Sequence, residues 1–142
     1  MKFSVLILYV FALIAICKQT KQIEKLCKNI KRLNVQLFNL IFDLPKSKGG
    51  IFLNKIRQYN DNMTTLARIV RTNKTHFQRQ LGGVLKKGYP KYLAENVFEE
   101  EMKKKFNFNQ STFEVLKVLR TASYDAWADL ISLHEQGHTF FE

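Results

Sequence analysis

Two apolar stripes with a heptad rhythm narrow what this chain can fold into. Ile23, Leu26, Ile30, Leu33, Leu37, Leu40 and Leu44 alternate in steps of three and four residues, and Phe52, Ile56, Tyr59, Met63, Leu66 and Val70 do the same. A helix puts such positions on one face, whereas a strand would scatter them over both. Pro45 stops the first stripe, and Lys46-Ser-Lys-Gly-Gly50 has the composition of a loop. The spacing predicts helices over 19–44 and 51–71, paired as an antiparallel hairpin with the stripes inward. Parallel coiled-coil pairing of two chains, giving a homodimer, is the competing use of the same stripes.

The remainder of the chain also reads as helical. Phe77, Leu81, Val84 and Leu85 suit a short helix over 75–87, although Gly82-Gly83 inside it cost about 1 kcal/mol each relative to alanine. Gly88-Tyr-Pro90 ends it. Leu93, Val97, Phe98 and Met102 predict a fourth helix over 91–105, where Glu99-Glu-Glu101 before Lys103-Lys-Lys105 matches the helix dipole. Asn107-Phe-Asn109 is a break. Ser111-Thr-Phe-Glu114 has the capping-box pattern, and Leu116, Leu119, Ala126, Trp127, Leu130 and Leu133 mark a last helix over 112–135. No strand-like alternation appears. The fold class expected is all-α, a single-domain bundle of four to five helices.

Ahead of this domain, Met1-Lys2 is followed by an apolar run from Phe3 to Ile16. One charge and a short apolar segment make the shape of a secretory signal. The run is shorter than the roughly 18 apolar residues of a membrane span. Ala15 and Cys17 are the small residues before a cut at Lys18, so residues 1–17 are expected to be a cleaved signal peptide and 18–142 the secreted domain. The rival is an uncleaved anchor. Cleavage would leave Cys27 as the single cysteine, either a buried thiol or a link to a second chain by an intermolecular disulfide. Cys17 and Cys27 cannot bridge within one helix, since ten residues span about 15 Å.

Charge is uneven along the domain. Residues 18–91 hold 17 Lys and Arg against Glu24, Asp43 and Asp61, whereas residues 92–142 hold 5 against 9 acids. Such a field favours anionic partners. Lys21, Lys25, Lys28, Lys31 and Arg32 fall outside the first stripe, and Arg68, Arg71, Lys86 and Lys87 extend the basic character. These nine residues are the candidate binding surface for an acidic protein, a sulfated glycan or an anionic lipid surface. A solvated face that keeps a secreted protein soluble is the plainer use of the same residues. Nucleic acid is set aside, because no recognition helix or aromatic stacking platform accompanies the charge. A basic face opposite an apolar one over Lys18–Leu44 also suits interfacial membrane binding.

His134-Glu-Gln-Gly-His138 has the bare pattern of a zinc hydrolase helix, in which two imidazoles one turn apart share a metal. Gln136 stands where that helix is normally buried, Gly137 loosens it, and no downstream third ligand follows. His134 and His138 are therefore only weak metal candidates; no catalytic residue, metal or cofactor is expected. Three N-x-S/T sequons, at Asn62, Asn73 and Asn109, become candidate glycosylation sites if the chain is exported. The function expected is a secreted, non-enzymatic basic protein that binds an acidic extracellular or host partner, of effector, salivary, venom or signalling type. A small carrier of lipid or another hydrophobic ligand is the alternative, and a zinc-dependent hydrolase the remote one.

Overall fold

A computed structural model describes residues 2–42, 49–89 and 98–138, except the side chains of Phe98 and His138. The described residues form five helices: α1 Lys2–Phe42, α2 Gly49–Thr72, α3 Gln78–Lys87, α4 Phe98–Lys105 and α5 Gln110–His138. No strand occurs among them. The described residues are all-helical apart from turns, as the apolar periodicity predicts.

Four helices close a ring. Helix α1 packs on α2, α2 on α5, α5 on α3 and α3 back on α1, while α4 lies against α5. The stripe of α2 supplies the centre: Phe52, Ile56, Tyr59, Met63, Leu66 and Val70 are all fully buried. On α1, Ile23, Ile30, Leu33 and Leu37 are buried, Leu26 and Leu40 partly so, and Ile41 takes the inward position at the end of the helix. Leu44 lies outside the described residues, as do Pro45, Leu93 and Val97. Burying each large side chain stabilises the fold by about 1.5–3 kcal/mol.

Four differences from the predicted elements have physical causes. Helix α1 starts at Lys2, not near residue 19, and passes through the expected cut without a break. No glycine or proline interrupts Ala15 to Gln22, and the Thr20 hydroxyl donates to the Ile16 carbonyl at 2.9 Å. Helix α2 takes in Gly49 and Gly50, which composition had placed in a loop. Gly49 is buried under Phe106 and Phe108, which a Cβ there would run into. Helix α5 starts at Gln110, capped by Asn109, whose Oδ1 accepts the Thr112 N–H at 2.8 Å. The capping box at Ser111 is thus displaced by a better-placed Asx cap two residues earlier. Finally, the break around Asn107 is apolar inside: Phe106 and Phe108 are buried, and Phe106 stacks on Phe52 with centroids 4.8 Å apart.

Polar side chains pin the register between helices. Asn60 of α2 donates to the Leu119 carbonyl of α5 at 3.0 Å, and the Ser123 hydroxyl donates to Asn60 Oδ1. Asn34 of α1 donates to the Lys87 carbonyl at 3.3 Å, and the Tyr59 hydroxyl donates to the Gly88 carbonyl, which fixes the end of α3. Arg120, 3% exposed, pairs with Glu99 at 2.7 Å and ties α4 to α5.

Candidate functional site

The basic residues divide into two groups once folded. Lys21, Lys25, Lys28 and Arg32 are exposed and follow one another at steps of four, three and four, a single stripe on the outer side of α1. Like charges one turn apart repel by a few tenths of a kcal/mol. Glu24 is the only carboxylate among residues 18–42. Lys31 turns off this stripe toward α3 and is half-buried. There it joins Lys28, Arg79 and Gln80 around a cleft of about 470 Å³ between α1 and α3, with Glu24 at its rim. Lys86 and Arg79 line a second cleft of about 510 Å³ between α3 and α5.

The other members lie elsewhere or are already engaged. Arg68 is exposed on α2, and Lys87 is exposed at the end of α3. Arg71 forms an ion pair with Asp129 of α5, which neutralises it. Arg79 and Gly83, outside the nine candidate residues read from the sequence, line both clefts. Their signal was present: Arg79, Gly82, Gly83 and Lys86 share one helical face.

Cys27 is 6% exposed at the floor of the α1–α3 cleft, its thiol 3.9 Å from the Gln80 carbonyl. Burial pushes the thiol up to about 11, against the opposing pull of the Lys31 ammonium. A neutral, enclosed thiol is a poor partner for disulfide exchange, so an intermolecular bridge would first require α1 and α3 to part.

The zinc-type pattern is used for packing. His134 Nδ1 lies 2.9 Å from Gln78 Oε1 of α3, so that ring nitrogen is engaged with an amide. A Cβ at Gly137 would overlap the Gln78 amide, so the glycine that weakens the helix is what admits this contact. Among the described residues no three His, Cys, Asp or Glu side chains gather as a metal site.

The three sequons sit in different surroundings. Asn109 is exposed at the start of α5, and its cap uses Oδ1, not the nitrogen that would carry a glycan. Asn73 is half-buried in the turn between α2 and α3. Asn62 lies inside α2, where its Nδ2 donates to the Gln58 carbonyl at 2.6 Å and its Oδ1 accepts from Asn29 of α1.

The first part of α1 is a feature of its own. Every residue from Phe3 to Ala15 is exposed, Phe3 at 81%. Within α1 an 18-residue window has mean hydropathy 1.9 and no burial, which makes this helix long and apolar enough to cross a membrane. The apolar run counted from sequence ended at Ile16; the unbroken helix carries the apolar window past it. Such a segment fits a signal sequence or a membrane anchor.

Comparison with protein-family models, with curated proteins and with solved structures gives no match to this chain.

Proposed function

We propose that the chain enters a secretory pathway on residues 1–17 and acts outside the cell as a non-enzymatic basic protein that docks to an acidic partner. The observation that carries this reading is the unshielded stripe of Lys21, Lys25, Lys28 and Arg32, which faces solvent along the bundle and continues at Lys28 into a basic cleft. Cations held on a rigid helix at one-turn spacing attract polyanions at long range and release counterions on contact. A sulfated glycan, an anionic lipid surface and an acidic protein share this chemistry. Retention on immobilised heparin tests it. The wild-type chain should elute at high salt, and Lys21→Ala, Lys25→Ala, Lys28→Ala and Arg32→Ala together should bring elution close to that of an ordinary soluble protein. Early elution of the wild type would reject the reading.

A second reading is favoured by the unbroken helix through residue 17: α1 stays whole and anchors the bundle to a membrane. The intact mass of the protein recovered from expressing cells decides between them. A chain starting at Lys18 in the medium supports export, and a chain starting at Met1 or Lys2 in the membrane fraction supports the anchor.

A further inference from the structure

The outward face of α3 is built in a way that helix packing alone does not require. Arg79, Gly82, Gly83 and Lys86 lie opposite the buried Leu81 and Val84, so two cations flank a stretch of bare backbone. The His134 ring approaches this saddle from α5, 3.3 Å from the position of a Cβ on Gly82. Lys31 reaches it from α1, its Nζ 3.7 Å from the position of a Cβ on Gly83. The first distance is tight and accounts for one glycine. The second is an ordinary van der Waals contact, so a methyl group would fit at Gly83. A helix nevertheless gives up about 1 kcal/mol by keeping glycine there.

The surroundings of Gly83 point to a ligand. It borders the clefts on both sides of α3, together with Arg79. Lys28, Lys31 and Arg79 line the α1 side against the single carboxylate of Glu24. Gln80 lines that side too, and its Oε1 is buried with no donor among the described residues. The cleft therefore presents cations for an oxyanion, and an acceptor without a donor lies just beneath its wall.

We propose that this saddle seats one sulfate-bearing sugar unit of a sulfated glycan. Arg79, Lys31 and Lys86 hold the sulfate, with the guanidinium able to pair through two N–H groups. The bare backbone at Gly83 gives the sugar ring room, and the Gln80 side chain turns outward so that a sugar hydroxyl donates to its Oε1. A bare sulfate ion and a carboxylate side chain both lack that hydroxyl donor. The proposal rests on the polyanion reading above and names where the polyanion is gripped.

The test is titration of the full chain, as eukaryotic cells deliver it, with a heparin-derived hexasaccharide at several salt concentrations. Gly83→Leu fills the saddle without changing charge and should weaken binding about tenfold while leaving the salt slope unchanged; leucine is the better helix former, so the melting temperature should hold or rise. Arg79→Ala with Lys31→Ala should weaken binding at least about tenfold and lower the salt slope by roughly two. Lys104→Ala with Lys105→Ala removes the same charge on α4 and should change affinity less than about threefold, as charges on a helix outside the saddle do. Equal losses in saddle and control variants, with the wild type still binding, would overturn the saddle and leave polyanion docking intact. Tighter binding of the wild type to phosphatidylserine vesicles than to the hexasaccharide would overturn the glycan assignment. No binding of the wild type to either would remove both the saddle and the reading beneath it. If Gly83→Leu does not fold, the charge variants carry the decision.

Discussion

The two parts of α1 share one unbroken backbone and have opposite fates. From Phe3 to Ala15 the helix is apolar on nearly every side and exposed throughout; from Ile23 to Ile41 it is apolar on one side and that side is buried. Helix formation is therefore not what separates them. A helix with one apolar face finds partners whose faces match it. A helix apolar on nearly every face keeps most of that surface exposed after any one-sided contact, so it suits lipid around it or removal.

The strongest way to break this comparison is to place the same charge in each part. Ile30→Asp sets an unpaired carboxylate among α1, α2 and α3 and should unfold the bundle or destabilise it by at least about 4 kcal/mol in urea titration. Leu8→Asp should leave the melting of the bundle unchanged and instead abolish export or membrane association, read by fractionation of expressing cells. A loss of fold with Leu8→Asp would show that the first part packs after all.

The two cysteines sharpen the same contrast. Cys17 is exposed and Cys27 buried. In the full chain one thiol should react quickly with a chromogenic disulfide reagent, and in a chain starting at Lys18 none should until denaturant is added. The Cys27 thiol is raised to about 11 when folded, above the roughly 8.5 of an unfolded cysteine. Below the lower value both states keep the proton and stability does not change. Between the two values the unfolded state loses its proton first, so stability falls as pH rises through that window. Urea midpoints compared across this range should show the decline, and Cys27→Ala should reduce it.

Smaller effects probe the polar pins and the caps. Ser123→Ala leaves Asn60 Oδ1 without its hydroxyl donor and should destabilise by about 1–3 kcal/mol. Asn109→Ala removes the cap of α5 and should cost about 1 kcal/mol in thermal unfolding. Neither should alter export or membrane association, because both lie outside the exposed apolar segment of α1.

Legibility in the sequence followed the same division. The stripe of α2 was readable residue by residue because all six positions obey one period and all six are buried. Helix α5 was readable only in part. Arg120 and Ser123 are buried on it, and both are polar types that hydropathy assigns to the surface. Their burial depends on Glu99 and Asn60, which lie on other helices and are distant in sequence. Phe106 and Phe108 escaped for a related reason: they lie beside a positive-φ residue, Asn107, in a short break where no helical period applies. For the candidate site, residue types could propose a basic surface, but not that Arg71 is neutralised by Asp129 while Arg79 stands over a cleft.

What the sequence determined by itself is local: helical period, the positions of most breaks, an apolar segment near residue 1 and an excess of positive charge over residues 18–91. Each depends on residues within a few turns of one another, where side-chain spacing and chain stiffness decide the outcome. Only the tertiary structure decided which polar groups are sheltered, which cations are neutralised, and that Lys31 and His134 reach two glycines of α3 from neighbouring helices. Those outcomes depend on which helices become neighbours, and burial and Coulomb attraction act through space between residues far apart in the chain.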